Sequence, residues 1–199
     1  MAGAGNDQTD AGSLALLQRV VDETDRLVTG MSDDDLAAQT PCTEWCVRDL
    51  LNHMIGGATI FAISAEEGSV PDDVLGQLMG GDNVGSDFTA SWRTASRRAL
   101  AAYDRPGVMD KMVTLPFGQM PAGAALDIAI FDVTTHATDL ALATNQTIAD
   151  EDLLEAALVI GHRTVVPEFR MPGVFEAEQA IGSGASATER LQAFAGRKV

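Results

Sequence analysis

Apolar residues recur at three- and four-residue steps along much of the chain, which is the spacing of one face of an α-helix. The first such stretch ends at Gly30, a residue type that commonly terminates helices, so we predict a helix over about residues 12–29. The same pattern predicts four further helices, at about residues 46–67, 92–103, 122–144 and 151–166. Long helices without a regular alternation of strands indicate an all-α fold, an up-and-down four-helix bundle.

The segments between these helices are shorter and richer in Gly, Asp and Pro. Residues 68–85 are predicted as a loop with one helical turn at 74–79, and residues 112–121 as a short hairpin or extended arm. Beyond Pro167 the pattern predicts one short strand at 174–181 and one short helix at 187–194. We therefore divide the chain into three parts: a flexible tail (1–10), the helical bundle (11–167) and a C-terminal appendage packed on the bundle (168–199).

Composition and charge exclude several classes of function. The 199 residues carry 13 Lys and Arg against 29 Asp and Glu, a net charge of −16, which repels phosphate backbones and anionic lipids. We therefore expect no nucleic-acid partner and no membrane partner. The N-terminus lacks the features of a secretory signal, and the two cysteines are too few for a disulfide framework, so we expect a cytoplasmic protein.

Three residues in the helical stretches combine into a candidate metal site. His53 and His136 lie in apolar helical contexts, and Asp132 precedes His136 by four residues, so both side chains project from one helix face. Two imidazoles and a carboxylate from facing helices form a ligand set that suits a divalent transition metal. The alternative is that Asp132 and His136 only form hydrogen bonds within the core.

Other polar residues have simpler interpretations. Cys46 stands at the start of the second helix, where it is either a reactive thiol or a small residue tolerated at a cap. His162 is left out of the site because it lies near a helix end, where a cationic side chain suits the dipole. Arg93, Arg97 and Arg98 form a basic face that we interpret as ion-pair partners within this acidic protein.

Four segments resemble a known family. Residues 40–53 (TPCTEWCVRDLLNH) and 132–144 (DVTTHATDLALAT) resemble the two signature segments of the DinB/YfiT-like metalloenzyme superfamily. With residues 115–118 and 188–197, they resemble its actinobacterial branch, which is related to the N-terminal domain of mycothiol-dependent maleylpyruvate isomerase. The resemblance covers most of the chain.

The resemblance implies a DinB-like four-helix bundle that binds a metal through His53, Asp132 and His136. Zinc is the expected ion, with nickel, manganese and iron as alternatives, and mycothiol is the implied cosubstrate. The isomerase presents a Glu at the position of Asp132, so this ligand is one methylene shorter and we expect a weaker site. The branch usually has a Trp in this segment, where this sequence has Ala137-Thr138. The absence of that Trp removes an aromatic wall from beside the site.

Two classes of function follow. The first is a metal-dependent, thiol-using transferase or isomerase-type enzyme that acts on a small electrophile. Maleylpyruvate isomerisation itself is not expected, because the isomerase carries a further C-terminal domain, whereas only residues 168–199 follow Pro167 here. The second is a non-catalytic metal- or ligand-binding bundle or a dimerisation module, and a homodimer is compatible with either class.

Overall fold

The computed structural model describes residues 4–167, 170 and 176–198, with the side chains of residues 4–11 outside the description. Its helices are α1 (Ala4–Thr29), α2 (Val47–Glu67), α3 (Asp72–Gly80), α4 (Phe88–Tyr103), α5 (Ala122–Ala143), α6 (Glu151–Thr164) and α7 (Ala187–Phe194). A 3₁₀ helix (Asp33–Ala37) follows α1. Strands β1 (Met112–Leu115) and β2 (Gly118–Pro121) pair antiparallel between α4 and α5.

Four of these helices form the bundle. Helix α1 packs against α4 and α5, and α2 packs against the same two helices. Their apolar faces meet in one core, whose largest fully buried side chains include Leu27, Leu50, Trp92, Tyr103 and Phe131. Burial of this apolar surface is the main source of the bundle's stability, because helices in proteins gain most of their stability from the packing of an apolar face. The predicted all-α bundle is therefore confirmed.

Helix α5 is the central element of the fold. It is buried along most of its length because α1, α2, α6 and α7 cover it on several sides. Buried Thr134 and Thr138 satisfy their hydroxyls by donating to backbone carbonyls four residues earlier, at 2.7 and 2.8 Å. The buried charged side chains on this helix cannot be satisfied in this way and need partners from other parts of the protein.

The predicted element boundaries are close to those observed, with differences at the ends. Helix α1 begins at Ala4, earlier than the predicted residue 12. The division of the chain into three parts at residues 10 and 167 stays a prediction. The hairpin and the last helix are confirmed. The predicted strand at 174–181 is not formed in the part of it that the structure describes, residues 176–181. Residues 174 and 175 lie outside the described residues.

The C-terminal segment lies against α5 and α6. The ring of Phe194 on α7 meets the ring of Phe131 on α5 edge-on, with centroids 5.7 Å apart. His162 on α6 packs on the same Phe194 ring at 4.4 Å. Among the residues that the structure describes, none of the helices has the length and apolar character needed to cross a bilayer.

Gly161 allows this close packing and provides a test of it. A Cβ at this position would lie 2.6 Å from atoms of both Phe131 and Phe194. We expect Gly161→Ala to lower the free energy of unfolding by about 1–3 kcal/mol, because two aromatic rings must shift. Chemical denaturation measures this change. The matched control is Gly57→Ala in α2, where a Cβ meets open space and should stabilise the helix by about 0.5–1 kcal/mol.

Candidate metal centre

The loop before α2 folds back on itself beside α5. The Thr40 hydroxyl donates to the carbonyl oxygen of Trp45 at 2.8 Å, and the Trp45 amide donates to the carbonyl of Cys42 at 2.8 Å. An isolated bridge joins Gln39 and Cys46 across the base of the loop. These bonds fix the side chains of Cys42 and Trp45 close to α5.

The three predicted ligands come together between α2 and α5. His53 Nε2 lies 3.6 Å from Asp132 Oδ1, and His136 Nε2 lies 3.5 Å from the same oxygen. One ligand atom from each residue lies within 4.8 Å of one from each of the others. The two imidazole rings are edge-on to each other, with centroids 4.7 Å apart.

This donor set fits a divalent ion. Two ligand atoms bound to one zinc ion at about 2.1 Å in tetrahedral geometry are about 3.4 Å apart, close to both observed distances. The His136 side chain is buried and that of Asp132 is 20% exposed, whereas His53 is 40% exposed. The site is therefore anchored in the core through α5 and open on the side of His53.

Trp45 packs against both histidines. Its ring centroid lies 4.9 Å from that of His53 and 5.8 Å from that of His136. The sequence predicted the loss of an aromatic wall at Ala137-Thr138 on α5. Trp45, in the loop before α2, supplies an aromatic surface at this site instead. The Trp45 ring therefore lies against the imidazoles of both candidate ligands.

The charges of the cluster shift its titration. Burial alone would raise the pKa of Asp132, but the charge and hydrogen bonds of His136 and His53 outweigh it and lower this pKa. Burial alone would lower the pKa of His136, but Asp132 on one ring nitrogen and Asp139 on the other raise it well above its ordinary value. Both shifts favour an ionised Asp132 beside a protonated His136, so metal binding at His136 Nε2 would release a proton.

Sequence reasoning missed the residues behind His136. Asp139 is fully buried, and its Oδ2 lies 3.1 Å from His136 Nδ1. Arg197, after α7, forms an ion pair with Asp139 at 2.9 Å and donates to Cys42 Sγ at 3.0 Å. The sequence does show that Asp139 follows His136 by three residues within an apolar helix. A carboxylate in such a helix is buried and needs partners, which could have drawn attention to it.

The other sequence candidates lie outside the cluster. The amide and thiol of Cys46 both donate to Asp49 Oδ2, at 3.1 and 3.0 Å, as expected for a residue at a helix cap. Arg93 pairs with Asp25 and Arg98 with Glu66, each at 2.6 Å, which confirms the ion-pair interpretation for these two.

Comparison with known proteins identifies the family. Residues 17–141, which carry all three predicted ligands, match the model described as the mycothiol maleylpyruvate isomerase N-terminal domain. The chain belongs to this family. The match to the mycothiol maleylpyruvate isomerase N-terminal domain family thus covers the four-helix bundle except the first part of α1 and the end of α5.

Proteins similar to this chain were found both among sequences and among solved structures. Two uncharacterized proteins from two strains of Mycobacterium tuberculosis are each 31% identical over 188 residues, covering 92% of this chain and 96% of the relative. The crystal structure of the mycothiol-dependent maleylpyruvate isomerase aligns with a TM-score of 0.62 at 17% identity, covering 81% of this chain and 70% of that chain. A histidine-to-alanine variant of it aligns at 0.65 and 15% identity, covering 84% and 73%. This likeness confirms the DinB-like fold.

The coupled pair of Asp132 and His136 predicts a pH dependence of stability in chelator-treated protein. The lowered pKa of Asp132 contributes stability above its ordinary value of 3.8, and the raised pKa of His136 contributes stability that is lost as pH rises through that raised pKa. The advantage of the parent over Asp132→Asn should therefore be greatest between pH 3.8 and 6.5 and should shrink at higher pH. Urea denaturation across this pH range measures it, and a constant difference would contradict the coupling.

Proposed function

We propose that this protein binds a divalent metal ion, zinc in the first place, through His53, Asp132 and His136. The observation that carries the proposal is the convergence of His53 Nε2 and His136 Nε2 on one oxygen of Asp132, at 3.6 and 3.5 Å. Nickel, manganese and iron remain alternatives, because two imidazoles and a carboxylate accept several first-row ions.

We further propose that the metal site serves a thiol-using transferase or isomerase-type reaction on a small electrophile. The family and the fold of the mycothiol-dependent maleylpyruvate isomerase support mycothiol, or a close analogue, as the thiol. A bound divalent ion lowers the pKa of a coordinating thiol or water, so that a nucleophile is available at neutral pH. The exposed side of His53 leaves access for such a thiol.

The residues around the proposed metal site have different roles. Asp132 and His136 would hold the metal ion from α5, where burial fixes their orientation, and His53 would hold it from α2. Trp45 packs on both imidazole rings and would help to hold their orientation. We propose action in the cytoplasm, which is consistent with two cysteines that are both free.

One observation favours a second candidate, a non-catalytic bundle. His136 has a carboxylate beside each ring nitrogen, and Arg197 pairs with one of them, so a protonated His136 balances the remaining charge without a metal ion. In this alternative Asp132 and His136 form a structural ion pair, and the bundle binds a ligand or a second copy of the chain. Metal content separates the two candidates.

Replacement of His53 tests the metal site. Protein purified and incubated with zinc should contain about one equivalent by elemental analysis, and His53→Ala should reduce this to background while the helical circular dichroism is retained. His162→Ala is the matched control, because His162 packs on Phe194 and is outside the cluster. Less than about 0.1 equivalent in the parent, after incubation with zinc, nickel and manganese in turn, would support the non-catalytic alternative.

The thiol-dependent activity is tested on the same samples. Zinc-loaded parent should consume a small electrophile in the presence of mycothiol, more slowly with glutathione, and His53→Ala should reduce this rate to that of the uncatalysed reaction. A parent that binds zinc but shows no thiol-dependent turnover with a panel of electrophiles would restrict the proposal to metal binding.

The length of the Asp132 side chain gives a further test. The two distances at Asp132 Oδ1 already match those of a shared ion, so the cleft fits the shorter carboxylate. We therefore expect Asp132→Glu to leave zinc affinity unchanged or to lower it by about tenfold, as measured by chelator competition. A clear gain in affinity would instead show that Asp132 is too short for the site.

A further inference from the structure

His136 has different partners on its two ring nitrogens. Nε2 faces Asp132 and the candidate metal centre, whereas Nδ1 faces Asp139 Oδ2 at 3.1 Å. A carboxylate can only accept a hydrogen bond, so this contact requires a proton on Nδ1. The lone pair of Nε2 is then the one left for a metal ion. Asp139 therefore selects which nitrogen of His136 is the ligand.

Asp139 depends in turn on the C-terminal segment. Its side chain is completely buried, and a buried carboxylate needs a compensating cation. Arg197 supplies it: Nη2 donates to Asp139 Oδ2 at 2.9 Å and Nε lies 3.3 Å from Oδ1. The Arg197 guanidinium is itself 9% exposed and also donates to the Ala195 carbonyl at 2.9 Å.

The end of α7 directs Arg197 to this position. The amide of Gly196 donates to the carbonyl of Ala193, and the amide of Arg197 donates to that of Gln192 at 2.9 Å. This pair of bonds is the Schellman motif, which reverses the chain after a helix and requires a left-handed residue. Gly196 has a φ of 84°, and a Cβ there would lie 2.6 Å from the Cβ of Glu176.

From these contacts we propose that Asp139 and Arg197 are positioning residues of the metal site, and that the C-terminal segment is part of that site. The proposal rests on the proposed metal function. Arg197 keeps Asp139 in place as an acceptor, Asp139 keeps the proton on His136 Nδ1, and His136 Nε2 is thereby presented to the ion. Carboxylates behind metal-binding histidines commonly act in this way.

Cys42, His136 and Asp139 form a second cluster of potential ligand atoms within 4.8 Å of one another. Arg197 Nη2 already contacts two of these residues, at 3.0 Å from Cys42 Sγ and 2.9 Å from Asp139 Oδ2. An ion here would have to displace the guanidinium. We therefore infer that Arg197, and not a metal ion, occupies this cluster, and that the metal binds on the Nε2 side of His136.

The test is a measurement of zinc affinity on the full chain by chelator competition. Asp139→Leu with Arg197→Met removes the acceptor and its cation together, so no buried charge is left unpaired. Zinc should bind about ten- to a hundredfold more weakly. The matched control is Asp127→Leu with Arg163→Met, which removes another α5 ion pair, of 2.8 Å, that does not touch His136. The control should bind zinc as the parent does.

Rescue distinguishes positioning from loss of packing. Asp139→Asn with Arg197→Met restores a carbonyl acceptor for the Nδ1 proton without a charge, and should recover most of the lost affinity. If the Asn variant binds as weakly as the Leu variant, the acceptor is not what matters and the proposal is wrong.

A direct measurement on the parent is independent of whether any variant folds. Nitrogen-15 NMR of the zinc-loaded protein should show His136 protonated at Nδ1 and bound to zinc through Nε2. Zinc bound to Nδ1 would overturn the proposal. If His53→Ala binds zinc like the parent, the proposed function itself fails. If His53→Ala loses zinc while the Asp139/Arg197 double variant keeps it, only the positioning proposal fails.

Discussion

A buried imidazole with a carboxylate beside each nitrogen is the interaction on which this site depends. His136 lies one turn after Asp132 and one turn before Asp139 on α5, with nitrogen–oxygen distances of 3.5 and 3.1 Å. Two carboxylates around one histidine in a protein core are tolerated only with further positive charge or a metal ion. Arg197 meets this requirement on the Nδ1 side, and His53 stands on the Nε2 side. The surrounding helices are arranged so that these partners can reach α5.

The chemistry of α5 also explains why its sequence is unusual. A helix covered on several sides is expected to be apolar all round, and Leu126, Ile130 and Leu140 meet this expectation. Thr134 and Thr138 satisfy their own hydroxyls within the helix, so these two add no demand on the surroundings. The acidic residues cannot do this. Each of them therefore identifies a point where another part of the chain must approach: Arg163 for Asp127, His53 for Asp132 and Arg197 for Asp139.

Local patterns were sufficient to predict the helices and the hairpin but not the whole site. Periodicity predicted α2 and α5 because their signals lie within one helix, and the spacing of Asp132 and His136 is likewise local. The early start of α1 was missed because residues 4–10 carry no apolar periodicity. Asp139 was not assigned a role, because its partners Cys42 and Arg197 are 97 and 58 residues away in the chain. A sequence pattern shows that a buried charge needs a partner, but only the packing shows which residue provides it.

The separation of these partners along the chain has a consequence for the order of folding. The contact between Cys42 and Arg197 closes a loop of 155 residues, whereas the turns of α2 and α5 form from neighbours. Closing a long loop costs more chain entropy, so contacts of this kind form after local ones. The helices can therefore assemble while His136 still lacks its outer partners. We therefore expect the Asp139 side of the histidine to be completed only when the C-terminal segment docks, late in the folding reaction.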